Sequence, residues 1–150
     1  KIARSGKVDK SLLEQLNRLA FYNQAFPKSL GTEWLDTYFY KITDQLTIPS
    51  EDQLRTIVEH EATQIAAVLN DNKLNSVFIS GGGALNDFMI ERLKHHYLGE
   101  VIIPEKQIIE FKEAIVFAYL GALYLNKQTN ILKSVTGASR DSVGGVLHLP

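Results

Sequence analysis

The chain has 150 residues, of which 45% are apolar, and it carries 16 Lys and Arg against 17 Asp and Glu. This composition excludes a disordered chain, and the balanced charge gives neither a basic footprint for nucleic acid nor a polybasic patch for a membrane. The chain has no cysteine, no apolar run of membrane-spanning length and no signal-peptide core, so we expect no disulfide, no thiolate metal site and a soluble, cytoplasmic protein.

Helical spacing of apolar residues dominates the first half of the chain. Asp9 is a plausible N-cap for a helix that carries the apolar residues Leu12, Leu13, Leu16, Leu19 and Ala20. Pro27 and Gly31 mark a loop, and residues 32–42 are predicted as a second helix. Ser50 followed by Gln53 has the form of a capping box. It precedes an apolar stripe with a period near 3.6, formed by Leu54, Ile57, Val58, Ala62, Ile65, Ala66 and Leu69.

Strands and helices alternate in the second half. Residues 76–80 have the β-branched and aromatic content of a buried strand, and three glycines and a helix capped by Asn86 follow. A second strand is predicted at 101–104, a long apolar helix at 111–126 and a third strand at 146–149. This order predicts an α/β fold with parallel crossovers.

The small number of predicted strands is itself informative. Two or three strands are fewer than a sheet packed on both faces usually contains. The sequence also begins without Met, and a helical pattern follows at once. We therefore expect the chain to be a piece of a longer protein or to need a partner.

The junction of strand, Gly81-Gly82-Gly83 and helix is the most informative motif. Glycines allow positive φ and close approach of a ligand, and the helix N-terminus offers free N–H groups to phosphate. A βα turn chosen only for packing explains an isolated motif of this kind equally well. A dinucleotide fingerprint would need Gly at Asn86, a near miss that stays open as a rival. A phosphate-binding loop of the Walker type is absent, and a nucleophile elbow would need Gly at Phe78.

The remaining candidate side chains have simple alternative explanations. His60 lacks a second histidine four residues later, so the zinc-protease motif fails, and we expect all the histidines on the solvated surface. Glu113 lies near the predicted start of the helix at 111–126. From the pattern alone, complementing the helix dipole explains it better than a contact to sugar hydroxyls. No metal site is predicted.

Four segments in order resemble the anhydro-N-acetylmuramic acid kinase family. They are Ala3-Arg4-Ser5-Gly6-Lys7-Val8-Asp9 before Leu12-Leu13, Pro27-Lys28-Ser29-Leu30-Gly31-Thr32-Glu33, Gly81-Gly82-Gly83-Ala84-Leu85-Asn86, and Glu113-Ala114-Ile115-Val116-Phe117-Ala118 with Val135-Thr136-Gly137-Ala138 and Gly145. Leu30 and Thr32 depart from the family's usual Thr and Arg. The family's first phosphate-binding segment and the segment with its catalytic aspartate have no counterpart here and would lie upstream of Lys1.

The resemblance implies a fold and an activity. The family is a sugar kinase of the actin-like ATPase superfamily, with two ribonuclease-H-like lobes. It opens the 1,6-anhydro ring of anhydro-N-acetylmuramic acid with water and phosphorylates the 6-oxygen from ATP with Mg²⁺, in peptidoglycan recycling. This chain would be the C-terminal part, with a helical segment at 1–49 and an α/β nucleotide-binding portion at 50–150.

The resemblance also implies site residues and partners. The nucleotide-binding residues would be Gly81, Gly82, Gly83, Ala84 and Asn86. Glu113 and Lys28 would contact the anhydro-sugar, while the general base would lie upstream of Lys1, so the chain alone would be inactive. The expected partners are the sugar and the upstream N-terminal lobe, and a homodimer stays open. The alternatives are a dinucleotide-binding module of an oxidoreductase and a non-catalytic, kinase-like interaction domain.

Overall fold

The computed structural model describes residues 1–25 and 27–148. Most of the described residues are helical, and a two-stranded parallel sheet lies in the first two thirds of the chain. Backbone contacts divide the chain into two compact units, Lys1–Ile103 and Pro104–Pro150. This helix-rich α/β arrangement, with a sheet too small for a whole domain, agrees with the predicted fold class.

Short helical segments open the first unit. They are α1 (Ile2–Ser5), α2 (Lys10–Asn17), a 3-10 helix (Ala20–Asn23), α3 (Thr32–Trp34), a π-helical turn (Leu35–Phe39) and α4 (Tyr40–Thr43). The carboxylate of Asp9 accepts a hydrogen bond from the N–H of Leu12 at 2.8 Å, so the predicted N-cap is confirmed. Leu12 and Leu16 are fully buried, as their spacing predicts. The helix predicted at 32–42 is present in three consecutive segments.

Helix α5 (Ser50–Asp71) is the longest element of the first unit, and α1, α2 and α6 pack on it. The predicted capping box is wrong, because Pro49 is the N-cap and Ser50 already lies inside the helix. The carbonyl of Pro49 accepts from the N–H groups of Asp52 and Gln53, both at 3.0 Å. The side chain of Gln53 instead donates to the carbonyl of Thr43 at 2.9 Å. The capping function of the predicted box is therefore supplied by the backbone.

A βαβ unit completes the first unit. Strands β1 (Ser76–Phe78) and β2 (Glu100–Ile102) pair in parallel, with Val77 opposite Val101. A 3-10 turn (Gly82–Leu85) and α6 (Asp87–His96) connect them. Both strands confirm the prediction in position, although each is shorter than predicted. The core under this sheet contains Ala62, Ala66, Leu93 and Tyr97, with Val77, Ile79 and Val101 packed against them.

The expectation that the first strand is buried is wrong for one of its two faces. Side chains alternate between the faces of a strand. Val77 and Val101 point into the core, whereas Phe78 and Ile102 on the opposite face are 60% and 39% exposed. A parallel sheet normally has both faces covered. Here only the face toward the core is packed, and Val77 and Val101 on it are partly buried.

The second unit consists of α7 (Lys106–Leu125), the short α8 (Lys133–Thr136) and an antiparallel bridge between Ile131 and Ser142. Helix α7 begins five residues earlier than predicted. The strand predicted at 146–149 is absent over residues 146–148, and Leu149 lies outside the described residues. A strand needs a neighbour for its backbone groups, and Val146 is 79% exposed.

Candidate functional site

The three glycines form a tight turn between β1 and α6. Gly81 has φ 98° and ψ 177°, a conformation that is open to glycine and strained for other residues. Its carbonyl accepts from the N–H of Ala84 at 3.0 Å, and the carbonyl of Gly83 accepts from the N–H of Asn86 at 3.1 Å. The first glycine is thus required by the backbone itself.

At the next two positions, the backbone conformation does not require glycine. Gly82 and Gly83 are exposed, and a Cβ built on either would meet no atom within 4 Å. Packing among the described residues therefore does not require glycine at these positions. No described residue accepts a hydrogen bond from their N–H groups. The turn presents two free backbone donors next to open space, which suits the approach of an anionic or polyhydroxylated ligand.

Asn86 and Ala84 have structural roles in this turn. Asn86 caps α6, since its side-chain oxygen accepts from the N–H of Met89 at 3.2 Å, and this confirms the predicted cap. The methyl group of Ala84 is buried, and its N–H is used inside the turn. A shallow groove of about 430 Å³ lies beside Ala84, along the face of α6 that carries Asp87, Glu91 and Lys94. Ligand contacts by Ala84 and Asn86 stay a prediction.

Lys28 is held by neighbouring backbone. Its ammonium donates to the carbonyls of Phe21 and Tyr22, both at 3.0 Å, and lies 4.9 Å from the centre of the Phe21 ring. Trp34 packs edge-on against the Phe21 ring, with the ring centres 5.6 Å apart. These contacts fix the loop around Lys28 within the first unit. A contact from Lys28 to a sugar stays a prediction.

Glu113 lies about two turns inside α7, because the helix begins at Lys106. The helix-dipole explanation, which rested on a start near Phe111, therefore fails, since that effect is confined to the first turn. Glu110, three residues before Glu113, forms an ion pair with Lys106 at 3.1 Å. Glu113 is exposed, and no described residue pairs with its carboxylate.

An apolar groove of about 540 Å³ lies in the second unit. It is lined by the face of α7 that continues from Glu113 toward the end of the helix. Phe117, one turn after Glu113, is the first groove residue of α7, and Leu120, Gly121 and Tyr124 continue the same face. Asn130 holds the opposite wall, as its amide accepts from the N–H of Gly144 and donates to the Gly144 carbonyl, both at 2.8 Å. The groove combines apolar walls with a free carboxylate near one end.

Sequence reasoning missed two buried ionisable residues of α5, His60 and Glu59. His60 is almost fully buried, so its assignment to the solvated surface is wrong. Its Nδ1 lies 2.6 Å from the Asn17 side-chain oxygen, and its Nε2 lies 2.8 Å from the Tyr22 hydroxyl. Asn17 also accepts from Gln64 at 3.0 Å, so we assign the proton to Nδ1 and a neutral ring. Burial lowers the pKa of His60 to about 4.

The second missed residue is Glu59, whose carboxylate is buried under α6. It lies three positions before Ala62 and seven before Ala66, so helical spacing alone could have placed it on the buried face. The Nε2 of His96, also assigned to the surface, donates to the carboxylate of Glu59 at 2.7 Å. Among residues 1–25 and 27–148, no group of three His, Asp or Glu side chains is arranged to hold a metal ion. The helices of this part of the chain include none long and apolar enough to cross a membrane.

The family model of anhydro-N-acetylmuramic acid kinase matches residues 1–150, the whole chain. The chain belongs to this family. Among curated proteins of that name, those from Hahella chejuensis and Saccharophagus degradans are 31% and 32% identical to it over 98% and 99% of its length. The protein from Psychrobacter arcticus is 34% identical over 95%.

The chain spans 41%, 42% and 36% of these three relatives, or about two fifths of their length. The resemblance predicted from the four ordered segments is thus confirmed. Membership of a kinase family does not favour the dinucleotide-binding alternative or the non-catalytic one.

Proposed function

We propose that the complete protein is an ATP-dependent kinase that opens the 1,6-anhydro ring of anhydro-N-acetylmuramic acid and phosphorylates its 6-oxygen. The observation that carries this proposal is the match of the family model to all 150 residues. The named relatives, which are 31–34% identical to the chain over the part that aligns with it, support it. The proposed setting is recycling of cell-wall sugar in the cytoplasm.

The glycine turn is proposed as the ATP-binding element of this chain. Phosphoryl transfer depends on positioning and charge stabilisation, which backbone donors supply without a side chain in the way. The free N–H groups of Gly82 and Gly83 and the space beside them support a contact to the adenosine or phosphate side of the nucleotide. Ala84 and Asn86 would shape the turn from within, through the contacts described above.

Glu113 is proposed as the main contact to the sugar. A carboxylate accepts hydrogen bonds from hydroxyl groups strongly, and that of Glu113 has no competing partner among the described residues. The apolar groove that follows it could receive the non-polar parts of the substrate. Lys28 is kept as a second proposed contact, with its loop held in place by Phe21 and Tyr22.

The rest of the proposed machinery lies outside this chain. The general base, the first phosphate-binding segment and the contacts to Mg²⁺ are assigned to an N-terminal lobe, and the fold of the whole to the actin-like ATPases. Within the chain, residues 1–49 are proposed as a helical segment and 50–150 as the nucleotide-binding portion. The contact boundary between Ile103 and Pro104 subdivides that portion.

Substitution of Gly82 tests the nucleotide site. Gly82 does not have positive φ, and the space around it is open, so Gly82→Val should leave the fold intact. In the complete protein it should raise the Kd for ATP by roughly tenfold or more, because the new side chain occupies the ligand's approach. Ala67→Val, on an exposed position of α5, is the matched control for added bulk. An unchanged Kd in Gly82→Val would leave only a packing role for the turn.

A further inference from the structure

A buried carboxylate joins α5 to α6, the helix that follows the glycine turn. Glu59 is 7% exposed, and Arg92 donates to both of its oxygens, from Nε at 2.7 Å and from Nη2 at 2.8 Å. The Nε2 of His96 lies 2.7 Å from the same carboxylate, and Arg55 approaches it at 3.5 Å. Both oxygens of Glu59 therefore face α6. The guanidinium of Arg92 binds the two oxygens at once, in the bidentate fork geometry of arginine.

The partners of Glu59 lie on one face of α6. Phe88, Arg92 and His96 are four residues apart, so they form a row along the helix. Phe88, two residues after the cap Asn86, is buried between the guanidinium groups of Arg4 and Arg55, at 4.7 and 4.8 Å from its ring centre. This row fixes both the rotation of α6 about its axis and its position along that axis.

The glycine turn is held by its two internal backbone hydrogen bonds and by the buried methyl group of Ala84, and it has little other support. Gly82 and Gly83 make no side-chain contacts, and β1 before them has three residues and one neighbouring strand. The position of the two free N–H groups is therefore set largely by α6, which starts directly after the turn. We propose that Glu59 is a positioning residue for nucleotide binding, which acts through Arg92 and α6 to place the backbone donors of the glycine turn. This inference rests on the proposed function.

The chemistry of the cluster favours this role over simple stabilisation. Burial opposes ionisation of Glu59, but the hydrogen bonds and charges of Arg92 and His96 outweigh it and hold the pKa of the carboxyl below its usual range. A buried ion pair gives little net stability compared with well-packed apolar residues, because desolvation offsets the attraction. What it does provide is directional geometry, since a planar fork on a carboxylate tolerates little rotation. A helix that carries a ligand-binding turn at its start needs that restriction.

Two variants of the complete protein test the proposal. Glu59→Gln keeps the shape of the side chain and removes its charge, and Arg92→Lys keeps the charge and removes the fork. Each should raise the KM for ATP by roughly tenfold while the KM for the anhydro-sugar changes less than about twofold, because a small displacement of donors weakens only the ligand they contact. Leu16→Ala, in the packing between α2 and α5, is the control for lost stability, and it should leave both KM values unchanged.

The outcomes distinguish a failure of the positioning role of Glu59 from a failure of the nucleotide site. If Gly82→Val raises the KM for ATP and neither Glu59→Gln nor Arg92→Lys does, the positioning role is overturned and the nucleotide site stands. If Gly82→Val also has no effect, the proposed nucleotide site itself fails. A rise in Leu16→Ala equal to that in Glu59→Gln would reduce Glu59 to a stabilising residue. Should Glu59→Gln fail to fold, Arg92→Lys decides alone.

Discussion

The two units of the chain differ in how completely they bury their apolar residues. In the first unit, α5 and its neighbours bury Leu12, Leu16, Ala62, Ala66 and Leu93 almost completely. In the second unit, Ile109 is the buried residue of α7, and the helix exposes large side chains along most of its length, such as Phe117 at 69%. Apolar surface of this extent normally marks an interface.

This difference shows whether the contacts that stabilise each unit lie within the chain. The first unit has an internal core and a buried charge cluster, so its own contacts account for its arrangement. The sequence of α7 is suited to a buried environment that the described residues do not provide. Because the relatives are more than twice as long as the chain, the remainder of the protein is the natural source of that environment.

Activity gives the largest expected effect. We expect the 150-residue chain by itself to form no phosphorylated sugar with ATP, Mg²⁺ and anhydro-N-acetylmuramic acid, whereas the complete protein should turn over at about 1–100 per second, as kinases commonly do. The reason is geometric, since a water or hydroxyl nucleophile needs a carboxylate within hydrogen-bond reach and no residue here matches the family's base. Turnover by the purified chain at a comparable rate would show that the catalytic residues have been misplaced.

Side-chain truncation compares the two units directly. In the 150-residue chain, Leu93→Ala should lower the free energy of unfolding by about 2–5 kcal/mol, because it leaves a cavity in a packed core. Phe117→Ala should change it by less than about 0.5 kcal/mol, as expected for an exposed position. Urea unfolding followed by circular dichroism, to which the helices of both units contribute, measures both.

The same pair of variants in the complete protein sharpens the comparison. If α7 is covered there, Phe117→Ala should cost about 3 kcal/mol or more, the usual range for a buried Phe. If Phe117→Ala leaves the free energy of unfolding of the complete protein nearly unchanged, this face of α7 is exposed there as well. The explanation by missing contacts would then be wrong.

The sequence predicted elements with strong local signals and missed those that depend on tertiary contacts. The Asp9 cap, the strand–glycine–helix order and the Asn86 cap each follow from neighbouring residues, and the structure contains all three. Helical spacing could have indicated the burial of Glu59, but its partners and those of His60 are distant in sequence and could not be predicted. Tyr22 is 38 residues from His60, and Arg92 is 33 residues from Glu59. A strand at 146–149 was predicted from β-propensity alone, which does not supply a pairing partner.

In the candidate site too, features set by neighbouring residues were predicted and features set by tertiary contacts were not. The turn at Gly81 was located by sequence because its conformation is local, whereas the start of α7 was misplaced by five residues and with it the explanation of Glu113. Helix boundaries depend on weak signals at the ends, and α7 begins after Glu105 with no side-chain cap. What sequence could not supply was the free space beside Gly82 and the absence of a described partner for Glu113.

The acid stability of the first unit should depend on His60. Its pKa is lowered by burial to about 4, from the ordinary value of 6.5. Between these values the unfolded state takes up a proton that the folded state refuses, so stability falls as pH is lowered from about 6.5 to 4. The total loss should be about 3 kcal/mol, and none of it should occur above pH 7. Urea unfolding of the 150-residue chain at several pH values measures this slope.

Two histidine variants isolate that contribution. His60→Gln should flatten the slope between pH 6.5 and 4.5, while His95→Gln, at an exposed position of α6, should retain it. The lowered pKa of Glu59 acts in a separate window, because its stabilisation is lost only as the pH falls through the acidic carboxyl range. A slope that persists in His60→Gln would assign the acid sensitivity to another group.

Substitution of Glu113 gives the smallest expected effect. It distinguishes the proposed sugar contact of α7 from the proposed nucleotide contact of the glycine turn. In the complete protein, Glu113→Gln should lower kcat/KM for the anhydro-sugar by roughly 10–100-fold, the value of a lost charged hydrogen bond, and leave the Kd for ATP unchanged. Gly82→Val should show the reverse pattern. Glu110→Gln, one turn earlier on the same helix and paired with Lys106, is the matched control and should change neither constant by more than about twofold. If Glu113→Gln instead weakens ATP binding, the carboxylate belongs to the nucleotide site. The assignment of the main sugar contact to Glu113 would then have to be abandoned.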